Sequence, residues 1–138
     1  MASEDEAFDP TATYVQLEDG PAATTVPVDG EFWARIAERA DLHDGRLVCV
    51  FDVTATWAHW EMHPAGDELV LLLDGAIDLV LEETDGERVV PLRDRRAFVV
   101  PRGVWHRAVV HRPGRVLHVT RGAGTRHRPL AADEADPG

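Results

Sequence analysis

The sequence predicts an all-β fold: an antiparallel β-barrel with a short N-terminal helix. Three observations predict it. From Arg46 onward, runs of five to nine residues rich in Val, Leu and Ile follow one another. Gly or Pro punctuates the joints, at Asp74-Gly75, Asp85-Gly86, Pro101-Arg102-Gly103 and Pro113-Gly114. Only one stretch spaces its apolar residues with a helical period. Many short strands with such turns belong to antiparallel sandwiches and barrels.

Taken in order, ATYVQLEDG alternates well enough for a strand, and TTVPV reads as a second short strand whose Pro27 favours a sheet edge. In GEFWARIAERA, Phe32, Trp33, Ile36, Ala37 and Ala40 fall on one face, with Asp29 as N-cap and Asp44-Gly45 as the stop. RLVCVFDV and ATWAHWEMH are the next strands. LVLLL and AIDLVLEE read as a hairpin pair joined at Asp74-Gly75, the strongest short hairpin signal in the chain. A turn at Asp85-Gly86 leads into RVVPL, and RAFVV follows. VWHRAVVH and RVLHVT read as two strands turned at Pro113-Gly114, and GTRHRP reads as an irregular tail.

The bulk properties exclude several classes. At 138 residues, one domain over 11–130 is expected, flanked by disordered segments 1–10 and 131–138. No run is apolar enough to span a membrane. The start, MASEDEAFDP, lacks the order of a signal peptide, so a cytoplasmic location is expected. All 14 basic side chains are Arg, against 25 acids, for a net charge of −11. That charge argues against nucleic acid as a partner. The single Cys49 excludes an internal disulfide and a multi-cysteine zinc site; its neighbours in RLVCVFDV mark it as a small buried hydrophobe.

Chemistry concentrates in WEMHPAGDELVLLLDG, residues 60–75. Side chains alternate along a strand, so Trp57, His59, Glu61 and His63 share one face, successive members about 6–7 Å apart. After the turn at Pro64-Ala65-Gly66, Glu68 returns a carboxylate to the same place. His106, following a second turn, supplies a fourth group, with small apolar Ala108 and Val110 as its inward neighbours. Two imidazoles and two carboxylates suit a divalent first-row ion, of which Mn, Fe, Ni and Zn are candidates. A dication would also neutralise two acids whose burial is otherwise costly. Without it, at least one of the two carboxyls is expected to have a raised pKa. Trp57 and His59 are expected to line a pocket above the ion. His43, His111, His118 and His127 have no partner at ligand spacing, and His111 and His118 fall near expected strand ends.

These residues resemble the two motifs of the cupin superfamily. The first, H-x-H, three or four residues, E, six residues, G, appears as Glu61-Met62-His63, four residues, Glu68, six residues, Gly75. The second, P-x-G-x-x-H, is complete in Pro101-Arg102-Gly103-Val104-Trp105-His106. The departure is Glu61, which stands where the first histidine belongs. The resemblance covers residues 45–121 and is similar to small single-domain bacterial cupins with no assigned reaction. It implies a jelly-roll barrel with the metal inside, assembled as a homodimer. It also implies a metal-binding protein acting on a small organic molecule, by dioxygenase or isomerase/lyase-like chemistry. A non-catalytic small-ligand binding or sensor barrel, with or without metal, is the alternative, and whether the chain is an enzyme stays open at this point.

Overall fold

A computed structural model describes residues 6–131. Of the terminal segments expected to be disordered, 1–5 and 132–138 lie outside the described residues. Just inside that boundary, the Asp9 carbonyl accepts the amides of Ala12 and Thr13, each at 3.0 Å, closing a turn into the first strand.

The strands are β1 (Thr13–Leu17), β2 (Ala23–Pro27), β3 (Arg46–Val53), β4 (His59–Met62), β5 (Glu68–Glu83), β6 (Gly86–Leu92), β7 (Ala97–Val100), β8 (His106–Thr120) and β9 (Arg126–Pro129). All their pairings are antiparallel. The spine is β5 against β8, two long strands paired from Leu69↔Val119 to Leu81↔His106. Their first limb, with Glu68–Leu72 and Val116–Val119, carries β7 on one side and β3, β1 and β2 on the other. Their second limb carries β6 on one side and β4 then β9 on the other.

This strand order is jelly-roll-like, but the sheet is not closed into a barrel. Among the described residues, β2 pairs only with β1 and β9 only with β4, and β6 and β7 both pair along the same side of β5. Because β6 and β7 follow one another along that side, neither bridges to the opposite edge. β2 ends in Pro27, which has no amide to donate to a further strand.

The helix also differs from expectation. It is internal, after β1 and β2, and α1 spans only Phe32–Arg35. Two 3₁₀ turns, Ile36–Glu38 and Ala40–Leu42, replace the rest. The Asp29 carboxylate accepts the Glu31 amide at 3.0 Å, a turn ahead of the helix, and no side chain caps α1 itself. An uncapped helix of this length has little stability of its own. Tertiary packing decides its shape: Phe32 and Leu42 bury against Tyr14, Val26, Leu47 and Cys49. Trp33 remains half exposed, beside Tyr14, Phe32 and Phe51.

Two expected hairpins are absent. Asp74-Gly75 lies inside β5 and Pro113-Gly114 inside β8, and the spine bends there through register shifts between Leu72 and Ile77. The glycines serve close approach rather than chain reversal. A Cβ on Gly114 would sit 2.0 Å from the Asp74 carbonyl oxygen, and one on Gly75 (φ +97°) would sit 2.9 Å from the Gly114 Cα. The bulge also flips parity in β5: Val70 and Leu72 point into the core before it, and Ile77, Leu79 and Leu81 after it. The expected turn at Asp85-Gly86 is present, with Glu83 paired to Gly86. GTRHRP is not irregular, since β9 pairs residue by residue with β4.

On the far face of the second limb, Trp60 is buried, with the guanidinium groups of Arg107 and Arg128 each 5.2 Å from its ring centroid. Trp60 therefore stacks within its own sheet.

Replacing Gly114 by Ala forces this bend apart. The Gly114→Ala protein is expected to lose at least about 2–3 kcal/mol of stability in urea unfolding, whereas Gly30→Ala, whose Cβ meets nothing within 4 Å, should change it by less than about 1.

Candidate metal centre

The site forms where β4 meets the two ends of the spine. Glu61 pairs with His106 on β8 and, across the other edge of β4, with His127 on β9. Residues directly opposite one another point to the same face. His106, Glu61 and His127 therefore form one row. His63 follows just after β4, and its carbonyl accepts the Gly103 amide at 3.0 Å. Asp67 accepts the Arg102 amide at 2.8 Å. The loop that carries Pro101-Arg102-Gly103 is thus tied to the loop that carries His63. Gly103 (φ +79°) does more than turn the chain; it locks the two motifs together. Glu68 opens β5 and projects into the same space.

Glu61, His63, Glu68 and His106 each offer a ligand atom within 4.8 Å of the others. His63 Nε2 lies 3.1 Å from Glu61 Oε1 and 3.1 Å from Glu68 Oε2, and His106 Nε2 lies 3.2 Å from Glu68 Oε1. His63, Glu68 and His106 are buried, while the Glu61 side chain is 20% exposed. Two further groups meet Glu68 Oε2: His118 Nδ1 at 3.3 Å, and the Thr120 hydroxyl, which donates at 2.5 Å.

His118 had no expected role, yet it is buried on the inner face of β8 and stacked on Phe51 at 4.9 Å. The missed signal was parity. His106 and His118 are an even number of residues apart on one continuous strand, and a supposed turn at Pro113-Gly114 concealed the relation. His111 is exposed and reaches Asp78 at 2.7 Å, well away from this cluster in register. Trp57 precedes β4 and lies 6.1 Å from the rings of both His59 and His106 and 6.4 Å from His118. It is half-buried and also packs on the main core. His59 is exposed, between Trp57 and His127, with the His127 ring centroid 4.9 Å away.

Three buried polar atoms at the centre have no hydrogen-bond partner: His63 Nε2, His106 Nε2 and Glu68 Oε1. His106 Nε2 and Glu68 Oε1 lie within charge-pairing reach of one another, and His63 Nε2 within reach of Glu61 Oε1 and Glu68 Oε2, but none of these contacts is a hydrogen bond. The second nitrogen of each ring is committed elsewhere. His106 Nδ1 donates to the Val104 carbonyl at 3.0 Å. His63 Nδ1 meets the Thr125 hydroxyl at 2.8 Å, and that hydroxyl itself donates to the Gly122 carbonyl. The Thr125 oxygen therefore accepts from His63 Nδ1–H. Both rings are oriented with Nε2 toward the centre and its lone pair free when the ring is neutral, the arrangement a metal requires. Buried orphan atoms of this chemistry fit a divalent cation.

In the ion-free state the same groups compensate one another. Burial pulls the His63 pKa down, but the Glu61 and Glu68 carboxylates outweigh it and raise the value to about 9. Burial pushes Glu68 up, but His118, His106 and His63 hold it well below the ordinary carboxylate range. Glu61 is likewise pushed up by burial and brought below its ordinary value by His63. The expectation that one carboxyl would carry a raised pKa is therefore wrong; an imidazole takes the proton instead. Cys49 is buried, and burial followed by the Glu68 and Glu61 charges pushes its thiol far up, so it is inert.

The sign of the linkage follows from these directions. The raised His63 pKa contributes stability that is complete below its unfolded value, about 6.5, and lost as pH rises through about 9. The depressed Glu68 pKa contributes stability present above its unfolded value and lost as pH falls through the folded one. In metal-free protein, the His63 ring resonance should titrate near 9 by NMR, and Glu68→Gln should bring that midpoint down.

No protein-family model matches the chain, and no curated protein does. Solved structures do resemble it. A cupin-2 domain containing protein from Shewanella frigidimarina is 16% identical, with 54% of this chain and 68% of that chain covered and a TM-score of 0.47. Peruvianin-I from Thevetia peruviana latex, described as a cysteine peptidase, is 20% identical over 62% of this chain and 56% of that one, with a TM-score of 0.50. An oxalate oxidase is 17% identical over 58% and 44%, with a TM-score of 0.49. The chain thus spans about half the length of the last two, and likenesses at these identities concern the fold and not the reaction. What the chain shares with these structures is therefore a jelly-roll-like antiparallel fold, within which the two motif segments meet at one centre.

Proposed function

We propose that this chain is a metal-dependent enzyme acting on a small organic molecule, with Glu61, His63, Glu68 and His106 holding one divalent first-row ion. The observation that carries the reading is the set of three buried atoms without a hydrogen bond on His63, His106 and Glu68. Evolution rarely leaves such atoms unsatisfied in an apolar interior, where each costs about 1–3 kcal/mol. A bound ion would supply Lewis acidity toward substrate oxygens and, if redox-active, an electron.

The chain's own residues divide the remaining work. Val104 and Thr125 fix the tautomers of His106 and His63. Thr120 and His118 hold Glu68 in its ionised form. Trp57 covers the centre beside His106. Glu61 is the most exposed of the four and opens toward His59 and His127, so substrate approaches from that side. The ion's identity, from Mn, Fe, Ni and Zn, separates dioxygenase from isomerase or lyase chemistry.

A non-catalytic binding module is the second reading. It is favoured by the close carboxylate–imidazole contacts, which give the centre internal charge balance without an ion. Metal analysis after equilibrium dialysis tests the ion on which the first reading depends. At least one buried ion per chain is expected, lost in His106→Ala and in Glu68→Gln; wild-type protein that takes up none would overturn the metal reading. Thr125→Val, which removes the acceptor for His63 Nδ1, should weaken binding of that ion roughly 10–100-fold while the protein still folds cooperatively.

A further inference from the structure

The centre described above uses only one oxygen of Glu61. Oε1 faces His63 at 3.1 Å, and Oε2 faces outward, 3.0 Å from His127 Nε2. A second group of ligand atoms gathers around that outer oxygen. His59, Glu61 and His127 each offer one within 4.8 Å of the others. All three are placed by β4 and β9: His59 and Glu61 are alternate residues of one strand, and His127 is the partner of Glu61 across the ladder. The two histidine rings stand edge to face at 4.9 Å, and Trp57 stacks behind His59 at 6.1 Å and 18°. The His127 side chain is 56% exposed, so the group opens to solvent.

We infer that His59, Glu61 and His127 form a second divalent-cation site, and that Glu61 bridges it to the inner ion through its two oxygens. Two imidazoles and one carboxylate are an established donor set for Zn²⁺, Ni²⁺ or Co²⁺ that leaves positions free for water or substrate. The inference rests on the inner site as proposed above. It accounts for the one departure from the superfamily motif. An imidazole at position 61 turned inward would have no second ligand atom within reach of the same ion pair, whereas a carboxylate has two oxygens pointing in different directions. The outer ion binds more weakly, with three ligands and an open face.

Equilibrium dialysis of the full chain against Zn²⁺ tests this, read as ions per chain with a chelator competition to rank affinity. Wild-type protein should take up two ions. His59→Ala and His127→Ala, both at exposed positions, should each keep the inner ion and bind the outer one at least about tenfold more weakly. Glu61→His should retain the inner ion and lose the outer, while Glu61→Gln should weaken both. His106→Asn should keep the outer ion. One ion in the wild type, unaffected by His59→Ala and His127→Ala, would overturn the outer site and leave the inner reading standing. One ion lost in His59→Ala and His127→Ala but retained in His106→Asn would keep the outer site and remove the inner one. Two ions with Glu61→His binding both as the wild type does would overturn the bridge.

Discussion

The pairing of β5 with β8 is the constraint from which the rest of the molecule follows. Both strands are long, and both bend at the same level because Gly75 and Gly114 let two backbones meet where no side chain would fit. One limb of this bent pair carries the β1–β3 sheet and β7, and the other carries β4, β6 and β9. The limbs bring the first residue of β5, Glu68, together with His118 and Thr120 near the far end of β8. The opposite end of β8 supplies His106. A flat pairing would hold Glu68 and His106 apart at the two ends of a sheet, since Leu69, next to Glu68, pairs with Val119, and His106 pairs with Leu81.

The centre is an exception to the apolar logic around it. Val70, Leu72, Leu79, Ala108 and Val116 bury almost completely in the same interior. Placing Glu68 among them is tolerable because His63, His118 and the Thr120 hydroxyl meet its Oε2 and His106 stands beside Oε1. The protein thus meets a buried charge with fixed dipoles and opposite charges, and it leaves three buried atoms, on His63, His106 and Glu68, without a hydrogen bond. Preorganisation of this kind is costly to folding and useful to chemistry.

Much of the site was readable from residue spacing. Alternation on one strand put Glu61 and His63 on one face, and the motif spacing added Glu68 and His106. What alternation could not provide was the continuity of β5 and β8. Asp-Gly and Pro-Gly pairs are hairpin signals because a turn needs a residue without side-chain hindrance, and a crossing of two bent strands needs the same residue for another reason. That ambiguity hid His118, and it also hid the open edges of the sheet, which depend on which strands share a side of β5. The helix was overread for a different cause. Its apolar spacing is real, but Phe32 and Leu42 satisfy the core with separate turns, and nothing caps a longer helix. β9 carried no apolar pattern at all; its residues Arg126–Pro129 form a strand through ladder pairing and the stacking of Arg128 on Trp60 and Trp105.

Thr125, which orients His63, and His127, which meets Glu61, both come after every other strand of the described chain. The ring orientation of one buried histidine and the outward contact of a neighbouring carboxylate thus both depend on a short edge strand, held to the sheet by β4 alone, and on the turn just before it. Fraying of that edge would loosen both contacts at once.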